Sequence, residues 1–259
     1  MANGKTRSVP VIAALFAFLI AMPGLAQDKT AYISTLDWPP YTGGDLPGGG
    51  ATSEVVRQAF EKAGYQTDVA YRPWKRAIDM AKEGKEGVVA YFPGYHCRHQ
   101  DGFIASEIIG NGPLGFAEHA DAPIIWDTLD SIGDQQLKIG TVLGYANTDE
   151  FDQKVGTGWI LAVPSNDDLT NLKKLTRQRI DAAVIDKFVL EYLKATEPSL
   201  KSSRDALVFN SKPLEEKTLY LCFRDDEVGR AMLSEFNSGL AQVDVDAIAE
   251  DYFATAFSQ

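Results

Sequence analysis

The sequence predicts an α/β fold built from two units, each a mostly parallel sheet with flanking helices. Three observations predict it. Strand-like and helix-like hydrophobic patterns alternate from residue 31 to residue 92, the same alternation returns from residue 138 to residue 195, and the composition is that of a globular chain. Of 259 residues, 45% are hydrophobic and 24% charged, with a mean hydropathy of -0.17. That profile excludes disordered, collagen-like and multi-span membrane chains. The length suits one large domain or two smaller ones, and either can bury a core without disulfides or structural metals. Lys and Arg number 25 against 36 Asp and Glu, a formal charge of -11. Such a surface repels a phosphodiester backbone, so nucleic acid is set aside as a partner.

Residues 1–26 read as a cleaved secretory signal peptide. Lys5 and Arg7 precede an uncharged run from Val9 to Met22, and Pro23-Gly24-Leu25-Ala26 supplies small residues at a cut after Ala26. The run is shorter than the roughly 20 residues of a spanning helix. The expected location of the mature chain is therefore outside the cytoplasm.

Ala31 to Leu36 is a β-prone run, stopped by Trp38-Pro39-Pro40-Tyr41 and a Gly- and Pro-rich loop over residues 43–50. Thr52 to Ala63 sets Val55, Ala59, Phe60 and Ala63 on one helical face, with Gly64 as the stop. Thr67 to Tyr71 reads as a strand, Trp74 to Glu83 as an amphipathic helix ended by Gly84, and Gly87 to Phe92 as an apolar strand. In the second unit, Lys138 to Val142 is a strand, and Gly144 with Tyr145 opens a turn before a helix. Asp167 to Gln178 is helical, Ile180 to Ile185 a strand, Phe188 to Ala195 a helix and Leu219 to Phe223 a strand. Val228, Met232, Phe236 and Leu240 recur at a spacing of four and mark a helix; Val245 to Phe257 carries another. No sequence repeat relates the two units.

The residues capable of chemistry are few. His96-Cys97-Arg98-His99 packs soft metal ligands together, but no second Cys or His cluster completes four ligands and Arg98 opposes a cation, so no metal is expected. Cys97 and Cys222 are compatible both with one bridge and with two buried thiols. No nucleophile elbow, zinc-protease, phosphate-loop or dinucleotide motif occurs, and neither an enzyme nor an organic cofactor is implied. The paired carboxylates Asp149-Glu150 and Asp225-Asp226 read as surface charge in an acidic chain.

An ordered series of segments carries a resemblance. Trp38-Pro39-Pro40-Tyr41-Thr42-Gly43, Tyr71-Arg72-Pro73-Trp74-Lys75-Arg76-Ala77, residues 110–121, 137–145 and 179–186, and Leu219-Tyr220-Leu221-Cys222-Phe223 together resemble the family 3 extracytoplasmic solute-binding proteins. These are receptors of ABC importers for polar amino acids and similar solutes. The resemblance implies a two-lobed periplasmic-binding-protein fold of type II, with two α/β lobes joined by two crossing strands near residues 114–119 and 219–223. Lobe one then combines residues 27–116 with 220–259, and lobe two spans residues 117–219. The implied function is capture of a small polar solute, an amino acid or related carboxylate, and its delivery to an ABC permease. Two further readings share the scaffold: a prephenate or arogenate dehydratase-like enzyme, which needs a general acid facing the cleft, and a soluble sensing partner of a membrane receptor.

Physical reasoning and resemblance converge on eight site residues. Arg98 matches the family's carboxylate-binding Arg, ahead of Phe103-Ile104-Ala105-Ser106, and a guanidinium fork suits a carboxylate. Tyr95-His96-Cys97 fills the space where the family has a Thr, and Glu107 follows Ser106 where it has a Pro. Asp186 matches the ammonium-binding Asp; the same position suits a helix N-cap. Gly144 and Tyr145 precede a helix, where free N–H groups favour an anion, or form a plain turn. Tyr41 matches the ligand-stacking aromatic, Trp38 and Trp74 line the same cleft or, for Trp74, the core, and Tyr91 ends a strand beside it. Arg98 and Asp186 are thus expected to face one shared hollow from opposite lobes.

Overall fold

A computed structural model describes residues 1–4 and 29–257. Residues 5–26 of the expected signal peptide lie outside the described residues. Among those described, no helix is long and apolar enough to cross a membrane.

The first wing begins with β1 (Lys29–Thr35), where Ala31 and Ile33 point inward and Tyr32 faces out. It pairs in parallel with β2 (Tyr65–Tyr71) and β3 (Ala90–Gly94). The crossovers are α1 (Ala51–Lys62), which buries Val55, Val56, Ala59 and Phe60, and α2 (Trp74–Glu83), which buries Ala77, Met80 and Ala81. Gly84, at φ 65°, ends α2 in the left-handed conformation that glycine adopts without strain. A 3-10 turn over Lys85–Gly87 delays β3 to Ala90, three residues later than the apolar pattern predicts.

Two long strands join the wings. β4 (Phe103–His119) pairs with β9 (Glu215–Arg224) along residues 103–114, then with β7 (Ala182–Asp186) along residues 114–118, so it changes partner at Leu114. The second wing sets β5 (Lys138–Val142) parallel to β7 and to the edge strand β6 (Leu161–Ser165), which tolerates Pro164 because one side is unpaired. Its helices are α3 (Leu129–Asp134), α4 (Asp149–Gly156), α5 (Asp168–Leu175) and α6 (Lys187–Thr196), and β8 (Leu207–Phe209) pairs with β4. The nine strands among the described residues form one sheet of order β2-β1-β3-β9-β4-β7-β5-β6, with β8 beside β4.

The chain then returns to the first wing through α7 (Glu227–Leu240) and α8 (Val245–Ala256), both packed on α1. The predicted stripe of α7 is off at its start: Val228 is exposed, while Gly229, Phe236, Gly239 and Leu240 are buried. The reason is a close crossing, because a Cβ at Gly239 would strike the Ala59 carbonyl of α1. Cys97 and Cys222 form a disulfide, with Cα atoms 5.2 Å apart, which ties the loop after β3 to β9.

Candidate functional site

The parallel strands of both wings deliver their carboxyl ends to one place. β1 runs into Leu36 and Trp38, β3 into Pro93 to Arg98, and β5 into Gly144 to Ala146 and then α4; together these enclose a cavity of about 410 Å³. Crevices at strand carboxyl ends are where open α/β sheets hold ligands. Six of the eight expected residues line this one: Trp38, Trp74, Tyr91, Arg98, Gly144 and Tyr145.

Its walls are aromatic. Trp38 is fixed by a turn in which its N–H donates to the Thr42 carbonyl at 2.7 Å; its ring stacks on Tyr41 at 4.5 Å and meets the edge of Tyr95 at 6.2 Å. Trp74 opens α2 directly after Pro73, is half-buried, and meets Tyr91 edge-on at 5.3 Å, so it serves core and cavity at once. Phe103 backs Tyr91 at 4.8 Å.

Charge reaches the cavity from both wings. Arg98, from the loop after β3, donates through Nη2 to Oδ1 of Asp149 at 2.6 Å, and Asp149 is the first residue of α4. The side chains are 45% and 80% exposed, so the pair is solvated and either member is free to change partner. Asp149 is surface charge, as expected, and it stands at the cavity rim. Asp101 and Asp152 also line the cavity, and Asp152 is committed to Asn147 by hydrogen bonds of 2.8 and 2.9 Å.

Two expected residues are not brought to the cavity. Tyr41 is 2% exposed and lines a separate hollow of about 210 Å³ with Phe188 and Phe253. Asp186 is equally buried: its Oδ1 accepts the N–H groups of Phe188 at 2.8 Å and Val189 at 3.2 Å, and the Tyr41 hydroxyl donates to Oδ2 at 3.1 Å. Oδ1 is taken by the start of α6 and Oδ2 by Tyr41, so Asp186 acts as the N-cap, and the anion facing Arg98 is Asp149. The anion cradle expected at Gly144 and Tyr145 is also absent from this geometry. Tyr145 N–H donates to the Val142 carbonyl at 3.2 Å, and α4 starts later, capped by Thr148 and carrying Asp149, Glu150 and Asp152 in its first turn. Tyr145 contributes a ring, and Gly144 a left-handed turn at φ 81°.

Behind the wall stands Asp168, 6% exposed, which Trp38 and Tyr145 approach as hydrogen-bond donors. Burial pushes its carboxyl up to about 7, and burial does the same to Asp186. Asp168 escaped sequence reasoning because the adjacent Asp167 is the visible helix cap, accepting Thr170 N–H at 2.7 Å. Two members of the His96–His99 run are committed elsewhere: Cys97 to the disulfide, and His99 Nδ1 to Asp225 at 3.0 Å. No group of three His, Cys, Asp or Glu suited to a metal occurs among the described residues.

Comparison with solved structures identifies the fold. The chain is similar to the GluR0 ligand-binding core of Nostoc punctiforme in complex with L-glutamate, with 14% identity, a TM-score of 0.68, and coverage of 88% of this chain and 100% of that one. It is similar to an amino acid ABC transporter substrate-binding protein of Streptococcus pneumoniae bound to L-arginine, with 11% identity, a TM-score of 0.70, and coverage of 89% and 97%. An ancestral amino acid-binding protein, a precursor of cyclohexadienyl dehydratase, aligns at 16% identity and a TM-score of 0.66, covering 88% and 95%. No protein-family model matches the chain, and no curated protein sequence does. At these identities the likeness establishes the two-lobed periplasmic-binding-protein fold and nothing finer.

Proposed function

We propose that this chain is an extracytoplasmic solute-binding protein of the family 3 type. It captures a small polar solute bearing a carboxylate, an amino acid or a related acid, between lobes divided near residues 116 and 220. It then passes the solute to an ABC-type permease, having been exported to the periplasm by residues 1–26. One observation carries the reading: Arg98 and Asp149, from opposite wings, meet over an aromatic-walled cavity at the strand carboxyl ends. A zwitterion placed there exchanges the Arg98–Asp149 pair for two ligand contacts, carboxylate to Arg98 and ammonium to Asp149, while the rings of Trp38, Trp74 and Tyr91 cover its apolar part. The amino-acid complexes of similar fold support this solute class.

A dehydratase on this scaffold needs a protonated acid facing the solute. The two carboxyls held up to about 7, Asp168 and Asp186, stand behind the wall rather than in it, which favours capture over turnover. The test is a thermal-shift screen against amino acids, opines and small carboxylates. A solute that prefers the folded form raises Tm progressively with its concentration, by about 2.7 kcal/mol of stability at a hundred times its Kd. Silence across the screen, or turnover of prephenate or arogenate, would sink the proposal.

A further inference from the structure

A buried ammonium and an unpartnered imidazole N–H meet beside the aromatic cavity. Lys217 lies on β9 in phase with Leu219 and Leu221, and like them it is buried, at 3% exposure. Among the described residues its ammonium meets the Glu215 carboxylate at 3.3 Å and the ring of Tyr95 at 5.1 Å. An ammonium carries three donors and is costly to remove from water without anionic partners. Beside it the loop after β3 presents His96, whose Nε2 is buried with no hydrogen-bond partner among the described residues. Lys217 and His96 both line two hollows of about 290 and 630 Å³, which adjoin the aromatic cavity through His96, Arg98 and Asp149. Burial, with the positive charges of Lys217 and Arg98, holds His96 below its ordinary pKa, which favours the neutral ring. A neutral ring still donates through Nε2–H in the appropriate tautomer.

We propose that Lys217 and His96 Nε2 form a subsite for a carboxylate group of the captured solute, set deeper in the cleft than Arg98. The inference rests on the proposed capture function and adds an anchor to it. The competing anion is the mobile partner: Glu215 is 48% exposed, so it can rotate into water, whereas Lys217 is enclosed and cannot follow. The acidic surroundings favour a singly charged carboxylate over a doubly charged phosphate, since each added negative charge meets Glu215 and Asp149 at short range. The Cys97–Cys222 disulfide fixes the geometry, because it ties the His96 loop to the strand that carries Lys217.

Acetate is the probe. His96 ring resonances, assigned by their loss in His96→Gln, are followed during an acetate titration at constant ionic strength, with chloride as the control. The expected result is a saturable shift with acetate and none with chloride, weakened about tenfold or more in Lys217→Met. Because Lys217→Met removes a buried group, Glu215→Gln provides a second variant at an exposed position; loss of the competing carboxylate should tighten acetate several-fold. Equal responses to acetate and chloride, an acetate affinity indifferent to Lys217→Met, or one unchanged by Glu215→Gln would overturn the subsite. A protein that binds acetate in this way but no solute in the thermal-shift screen keeps the subsite and loses the capture reading. A solute bound with an affinity unaffected by Lys217→Met does the reverse.

Discussion

Asp168 and Asp186 place two carboxyls out of water behind the cavity, and their titration has a definite sign. Both are held up to about 7 in the fold, against about 3.9 for an unfolded Asp. Between those values the folded chain holds protons that the unfolded chain has released, so their contribution favours the fold at low pH and is lost as pH rises from about 4 to about 7. His96 acts oppositely: its lowered pKa adds stability as pH rises through its ordinary range. Glu54 and Asp226, held below the usual carboxylate range, matter only under more acid conditions. Comparison with Asp186→Asn isolates the effect, because Asn still caps α6 but cannot ionise. Melting temperature between pH 5 and 8 should fall more steeply in the wild type than in Asp186→Asn, and parallel curves would count against a protonated Asp186. Arg98→Ala has a different signature. Its solvated pair with Asp149 is worth under about 1 kcal/mol to stability, yet losing a charged contact to a carboxylate solute weakens binding by about 1–2 kcal/mol. Calorimetry showing an unchanged Kd would remove Arg98 from the site.

At the scale of elements, the segments with periodic apolar residues were legible in the sequence. Trp74–Glu83 and Lys138–Val142 appear at the predicted bounds, since Gly84 and the run Lys138 to Val142 mark them locally. β9 was cut short at Leu219 because Glu215, Glu216 and Lys217 look like solvent-facing charge; they form strand only by pairing with Leu114 to Gly112 of β4, a contact no local pattern reveals. The same blindness hid Lys217 and left Asp186 open between a ligand contact and a helix cap, because its neighbours come from β4 and from Tyr41, 145 residues away. That junction depends on Gly112, where a Cβ would collide with the Tyr41 hydroxyl and the Asp186 carboxylate. Gly112→Ala should therefore destabilise by about 1–3 kcal/mol, whereas Gly156→Ala, in a helix with open space at that point, should be neutral or slightly stabilising. Urea unfolding separates the two, and equal midpoints would refute the packing argument. The disulfide was open to two readings because spacing says nothing of proximity. Closing a loop across 125 positions, it is expected to contribute about 2–5 kcal/mol, measurable as the loss in Cys97→Ser with Cys222→Ser.

For the whole molecule, the decisive feature is that β4 and β9 are the long strands shared by both wings, so a bend in two strands suffices to move one wing against the other. Several contacts now hold the wings together. Arg98 meets Asp149 at the cavity mouth, Tyr41 meets Asp186 at the hinge, and Phe188 of α6 stacks on Phe253 of α8 at 4.7 Å. The first of these is exposed and weak, the second buried and the third half-buried. A solute touching only one wing cannot change the balance between open and closed forms; one that bridges Arg98 and Asp149 can, in proportion to its preference for the closed form. Asp149→Ala removes the front contact while leaving the other two intact, and should shift the solute-free protein toward the open form. Small-angle scattering should then give a larger radius of gyration for Asp149→Ala than for the wild type, and a saturating solute from the thermal-shift screen should compact the wild type more than the variant. Superimposable curves for both proteins, with and without that solute, would mean that the wings form one rigid body and that capture, if it occurs, proceeds without closure.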